Sequence, residues 1–152
     1  YLSMRQPEIM AGVSLPMTGS AASQSEKYLD SPLDDRLGAE LAERLDQEMD
    51  QGDIFLKNDL SLADLAEIMG LSTRHLSQVI NQYRHRNFYD YVNGYRARYA
   101  AEHLAKYGKT NLTRLAYDSG FNNRVSFSKA FRTHTGQTPT EFLKKQVESS
   151  VF

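Results

Sequence analysis

The chain has 152 residues, with 18 Lys and Arg against 19 Asp and Glu and no cysteine, so it is long enough for a core of its own and has no means of building a disulfide framework or a thiolate metal site. No apolar run is long enough to cross a bilayer, and no basic-then-apolar signal pattern opens the chain. The near-neutral total hides an asymmetry: residues 1–57 carry 5 basic and 11 acidic side chains, whereas residues 58–152 carry 13 and 8.

Residues 1–30, rich in Met, Ser, Gly and Ala and without periodicity, read as a linker or poorly ordered arm. Because Tyr1 stands where a methionine would open a gene product, the chain is expected to be a piece of something longer. Residues 31–57 read as an N-terminal helical segment. Ser31 is the expected N-cap, Pro32 the first helical position and Asp34 part of the first turn. The helix is expected to reach about Gln51 and close at Gly52, with Leu37, Leu41, Leu45 and Met49 as its apolar stripe. Its exposed face is acidic and should point away from any polyanion.

Residues 58–146 hold the most telling pattern, a short design written twice. The first copy reads Leu62-x-x-Leu65-Ala66-x-x-x-Gly70-Leu71-Ser72-x-Arg74-His75-Leu76-Ser77, and the second Leu112-x-x-Leu115-Ala116-x-x-x-Gly120-Phe121-Asn122-x-Arg124-Val125-Ser126-Phe127-Ser128. In each, an apolar-periodic helix stops at a glycine, which reverses the chain without a Cβ penalty, and a polar residue starts a second helix with an arginine near its beginning. That is the outline of a helix-turn-helix. Ser61 and Asp64 frame the first start. Asn87 caps a long helix to about Lys106, in which Phe88, Tyr91, Val92, Tyr95, Tyr99 and Leu104 recur at helical spacing. Asn111 starts the second unit, Asn122 or Asn123 caps its second helix, and Gly136 ends it. Thr138-Pro139-Thr140-Glu141 has the shape of a capping box opening a last helix to Lys144-Lys145, leaving 147–152 as a tail. The expected fold is all-α: two helix-turn-helix units joined by a long linker helix, with an additional N-terminal amphipathic helix.

On these residues, the stretch from Leu60 to Lys145 resembles the DNA-binding domain of AraC/XylS-type bacterial transcription regulators. The second half carries most of the likeness, through Leu115-Ala116, Gly120-Phe121, Phe127-Ser128-Lys129-Ala130-Phe131-Arg132 and Gly136-Gln137-Thr138-Pro139 before Phe142. The resemblance implies seven helices without a sheet. It also implies a linker helix that sets two recognition helices about one DNA turn apart, roughly 34 Å, so that both enter major grooves on one face.

The implied first recognition helix runs from Thr73 to about Asn81, with Arg74, Ser77 and Gln78 toward base edges. Arg74 is suited to guanine O6 and N7 and Gln78 to adenine N6 and N7. In the second, the matching positions are Arg124, Val125, Ser126, Ser128 and Lys129. Val125 replaces the small polar residue common in the family and can pack on a thymine methyl. Thr73, Asn123 and Asn111 are placed for phosphates at helix starts. His85 stands where related sequences commonly have glycine, and Arg84-His85-Arg86 is a candidate phosphate patch.

Blander roles compete for these residues. Arg74 and Arg124 could be plain surface arginines, and Arg96, among aromatics on the linker helix, suits a structural ion pair better than a DNA contact. Leu76, Ile80, Phe121, Phe127 and Phe131 read as core, and most of the nine tyrosines fall on apolar stripes and read as packing. No catalytic residue, metal site or cofactor is expected: His75, His85, His103 and His134 lack ligand spacing, and no phosphate loop or nucleophile–base pair is present. The expected activity is therefore sequence-specific binding of double-stranded DNA to regulate transcription in the bacterial cytoplasm. Its expected partners are RNA polymerase, for an activator, and a second copy joined through regions outside this sequence. The alternative is a protein-interaction module of a signalling protein that has lost specific DNA binding. The opening Tyr1-Leu2, Arg5-Gln6-Pro7-Glu8-Ile9, Lys27-Tyr28 and Ser31 resemble the segment joining a membrane sensor to such a domain, so a membrane-tethered regulator with no membrane contact in this portion is one expectation and a soluble ligand-sensing regulator the other.

Overall fold

The computed structural model describes residues 33–151, with no side-chain detail at the last two of them. The chain divides into two units, Tyr1–Leu37 and Gly38–Phe152, and all packing that follows lies within the second. Among the described residues the regular structure is entirely helical. Seven α-helices run in order as α1 (Asp35–Gly52), α2 (Leu62–Met69), α3 (Thr73–Arg84), α4 (Phe88–Tyr107), α5 (Leu112–Asp118), α6 (Arg124–Thr135) and α7 (Pro139–Val151). One 3-10 turn, Ile54–Leu56, stands between α1 and α2.

Side-chain caps set these boundaries, because the first N–H groups of a helix have no partner within it. The Ser61 hydroxyl accepts from Asp64 N at 3.1 Å and the Asp64 carboxylate returns the bond to Ser61 N at 3.0 Å, a closed capping box. Ser72, Asn87, Asn111 and Asn123 each accept from the amide three residues on, and Thr138 with Glu141 repeats the box at α7. Gly70 closes α2 in the left-handed region at φ 67°.

Several boundaries differ from the sequence expectation. The arm, Ser31 and Pro32 lie outside the described residues, and α1 begins at Asp35, after Asp34. Helix α3 runs one turn past Asn81 to Arg84, because His85 itself takes the left-handed conformation at φ 54° that a glycine would normally supply. Helix α7 continues through the expected tail to Val151, since residues 146–151 contain no Gly or Pro to stop it.

Two separate cores form. Leu45, Met49, Phe55, Leu60, Leu65, Met69, Leu76, Ile80, Tyr91 and Val92 fill the first, and Ala100, Leu104, Leu115, Phe121, Phe127, Ala130 and Phe131 fill the second. The linker helix α4 belongs to both: its first half is buried in one core and its last half in the other. Burying a large apolar side chain contributes about 1.5–3 kcal/mol, so each half of α4 is held by its own hydrophobic cluster. Tyr91 and most neighbouring rings pack as expected, whereas Tyr89, Tyr107 and Tyr117 are exposed.

Candidate nucleic-acid interface

Helix α3 separates its residues cleanly by side. His75, Leu76, Val79 and Ile80 are buried, while Thr73 and Arg74 are exposed and Ser77 and Gln78 half-buried. Residues three and four apart share a helix face, so Arg74, Ser77, Gln78, Asn81 and Gln82 form one polar surface. Asn81 Nδ2 donates to Ser77 Oγ at 3.3 Å along it.

Helix α6 repeats the arrangement. Phe127, Ala130 and Phe131 anchor it in the second core, with Phe127 at 5.4 Å from Phe121 and 5.8 Å from Phe131 between ring centroids. Arg124, Val125, Ser126, Lys129 and Arg132 are exposed and Ser128 is half-buried. Val125, in the first turn of α6, is 78% exposed and leaves its methyl groups on the same outward surface as Arg124 and Ser126. The Arg124 guanidinium reaches back to within 3.5 Å of the Thr113 hydroxyl on α5. Asn111 and Asn123 each use the side-chain oxygen as a helix cap, which leaves the amide nitrogen as the group able to donate to a phosphate. Asn81, Gln82 and Arg132 escaped the sequence reading, although each follows an assigned position by one helical turn; that spacing was the available signal.

Two arginines are engaged within the fold, Arg84 against its expected place in a phosphate patch and Arg96 in the structural role expected of it but with other partners. Arg84 turns inward, donating to Asp46 Oδ2 from Nε and a terminal nitrogen at 2.9 and 2.6 Å, with Glu43 at 3.5 Å. A guanidinium so neutralised is a poor phosphate ligand, because its charge and fork are already engaged. Arg96 is structural, but not through an ion pair. It donates to the Phe55 and Lys57 carbonyls at 2.7 and 2.8 Å and to Asn93 Oδ1 at 3.2 Å, and burial draws its pKa below the ordinary guanidinium value. Arg86 is exposed and lines a cleft of about 510 Å3 with Asp46, Arg84, Tyr91, Tyr95 and His134. Burial, then the Arg86 charge, lowers the pKa of His134 there.

No group of three or more His, Asp or Glu side chains able to hold a metal occurs among the described residues, and no helix among them is long and apolar enough to cross a membrane.

A family model described as a helix-turn-helix domain matches residues 65–145. An uncharacterised HTH-type transcriptional regulator of Staphylococcus aureus (strain COL) is 30% identical over 100 residues, which is 66% of this chain but only 13% of that regulator's length. The C-terminal domain of AraT, a response regulator from Geobacillus stearothermophilus, has a TM-score of 0.58 at 26% identity, over 69% of this chain and 84% of that one. A transcriptional regulator from Chromobacterium violaceum, of the AraC-type DNA-binding domain-containing proteins, shares the fold at a TM-score of 0.60 and 23% identity, over 71% of this chain and 96% of its own.

Proposed function

The chain belongs to the AraC-type helix-turn-helix family of transcription regulators, and from that premise we propose that it reads two consecutive major-groove segments of duplex DNA, α3 entering one and α6 the other. The observation that carries this reading is the pair of exposed polar surfaces, each backed by a buried apolar face of the same helix. Arg74, Ser77 and Gln78 are the base readers of α3, with Thr73 at its start as a phosphate ligand. Arg124, Val125, Ser126, Ser128 and Lys129 serve α6, with Asn123 and Asn111 donating to phosphates. Arginine is suited to guanine because one planar fork satisfies O6 and N7 together. The basic excess of residues 58–152 supplies the salt-dependent attraction to phosphate that any such contact requires.

Regulation then follows from where the site lies relative to a promoter, with the cytoplasm as the place of action and RNA polymerase as the partner of an activator. Tethering to a membrane sensor would make the native protein sediment with membranes, whereas a soluble ligand-sensing regulator would stay in the supernatant.

Selection of bound sites from a random duplex library tests the reading. The expected motif has two blocks about one helical turn apart, one degraded by Arg74→Ala and the other by Arg124→Ala. Recovery of no motif, with weak binding that ignores both substitutions and falls steeply with salt, would leave only phosphate attraction and favour a protein-interaction module.

A further inference from the structure

The segment between α1 and α2 does more than join them. Asp53 turns the chain in the left-handed region at φ 50°, and the 3-10 turn that follows presses Phe55 into the first core. There its ring lies 5.9 Å from Tyr95 and 6.1 Å from Tyr99. Leu60 is buried in the same core, and Leu60 N donates to the Lys57 carbonyl at 3.2 Å. Residues 53–60 are therefore anchored at both ends on the first helix-turn-helix unit.

Their other side meets the second unit. Asn58 Nδ2 donates to the Phe121 carbonyl at 3.0 Å, and Asn122 Nδ2 donates back to the Asn58 carbonyl at 3.3 Å. These bonds hold the turn of the second unit, which ends at Asn123, the cap of α6. Between the two lies Arg96, halfway along α4. Its guanidinium takes the Phe55 and Lys57 carbonyls and stands 5.9 Å from the Phe121 ring centroid. Gly120 sits at φ +96°, and a Cβ there would come within 2.5 Å of the Phe55 carbonyl oxygen and 2.7 Å of Arg96 Nε. The backbone of the second turn thus approaches the segment as closely as backbone can, which only glycine allows.

We propose that residues 53–60, with Asn58 and Arg96 as positioning residues, form a splint that fixes the tilt of the second helix-turn-helix on the first, and so sets the spacing between the two DNA blocks that the protein accepts. The linker helix and the packing of α6 on it hold the units apart, and the reciprocal pair of hydrogen bonds between Asn58 and residues 121–122 adds a directional contact whose geometry is lost as soon as one unit tilts. The leverage is large. Over the roughly 34 Å between successive major grooves, a tilt of about 6° displaces the far helix by roughly 3.5 Å, one base-pair step. Holding the register therefore requires a second stiff contact beside the linker helix, where it has a lever arm against tilt, and this segment supplies one. The DNA part of the proposal rests on the two-groove reading above; the mechanical part does not.

The chain has no cysteine, so a pair of spin labels at Gln82→Cys and Arg132→Cys, on exposed faces of α3 and α6, reports the distance between the helices without background. In the free protein the expected distribution is narrow, and Asn58→Ala and Arg96→Met each broaden it about twofold. Asn58 is exposed, so its truncation leaves the cores intact, and methionine keeps the bulk of Arg96 without the buried charge. On DNA carrying the selected two-block site, inserting or deleting one base pair between the blocks is expected to weaken wild type about tenfold. In either variant that penalty shrinks to about threefold, while binding to a single block is unchanged. An unbroadened distance distribution in both variants overturns the splint. So do spacing profiles that run parallel to wild type while only the melting temperature falls. Absence of any two-block site in wild type sinks the groove reading and the spacing claim together, and the label distances alone then decide the mechanical claim.

Discussion

Arg84, the last residue of α3, donates to Asp46 Oδ2 from two nitrogens at 2.9 and 2.6 Å, and the Tyr91 hydroxyl gives Asp46 Oδ1 a bond at 2.7 Å. Tyr95 adds a longer one at 3.3 Å. One carboxylate on α1 thereby gathers α3 and α4. Partial burial pushes the Asp46 carboxyl upward, but the hydrogen bonds from Arg84, Tyr91 and Tyr95, with the Arg84 charge, outweigh it and hold the group below the ordinary value of 3.8. The same burial, with the bonds to Tyr95 and Asp46, keeps the Tyr91 hydroxyl protonated far above its ordinary range.

A carboxyl whose pKa is lower folded than unfolded contributes stability above its unfolded value, and loses that contribution as pH falls through the folded value. Wild type should therefore lose melting temperature below about pH 4. Asp46→Asn should cost about 1–3 kcal/mol at neutral pH, since it removes the charged acceptor of two Arg84 nitrogens and leaves that guanidinium the more distant Glu43 at 3.5 Å. The gap between the two proteins should close on acidification. Melting curves of both from pH 7 to pH 2.5 check this, and a gap independent of pH would remove Asp46 from the acid response.

His85 stores strain that can be released. It holds φ 54° and ψ 37° at the C-terminus of α3 and is exposed, so nothing in a core depends on its ring. A left-handed non-glycine residue costs roughly 1–2 kcal/mol, part of which glycine returns as unfolded-state entropy. His85→Gly should raise the melting temperature by about 2–5 °C, and His85→Val should lower it, because a β-branched residue suits that region least. A drop with glycine would mean that the imidazole holds the turn by a contact of its own.

Base reading and phosphate attraction should separate by substitution. Arg74→Ala is expected to cost about 1–3 kcal/mol on the selected site and little on unrelated duplex, as loss of a bidentate base contact does. Arg132→Ala, one turn beyond Lys129, should weaken all duplexes alike and make the slope of log K against log salt shallower by about 0.9. Titrations at four salt concentrations on both duplexes would expose the opposite pattern if the roles were reversed.

What the sequence disclosed, and what it withheld, divides along physical lines. Caps such as Ser61, Asn87, Asn123 and Thr138 with Glu141 are local, because the side chain binds an amide three residues away. Buried faces such as Leu76 with Ile80, or Phe127 with Phe131, follow from helical periodicity. Arg96 was legible as structural but its partners were not, since they are backbone carbonyls 41 and 39 positions away that carry no residue signature. Asp46 was hidden for a related reason: in a helix with so many acidic side chains, nothing local marks the one that turns toward Arg84 and Tyr91. Asn58 carries no local mark either, since the Phe121 carbonyl it binds is 63 positions away.

Val125 gives the two-groove reading its most specific test. It begins the outward face of α6 and is 78% exposed, so its methyl groups lie against water unless something apolar covers them. A thymine C5-methyl in the major groove is such a cover. Covering one methyl contributes about 0.8 kcal/mol, roughly fourfold in affinity. Replacing that thymine by uracil removes the methyl and leaves every Watson–Crick and phosphate group in place. Wild type should then bind about fourfold more weakly when uracil occupies one particular position of the block read by α6, and no other uracil should matter as much. Val125→Ala should bind the thymine site several-fold more weakly than wild type and be nearly indifferent to the uracil exchange. Equal sensitivity of both proteins at that position would assign the methyl contact to another side chain, and insensitivity of both would return Val125 to a solvated surface residue.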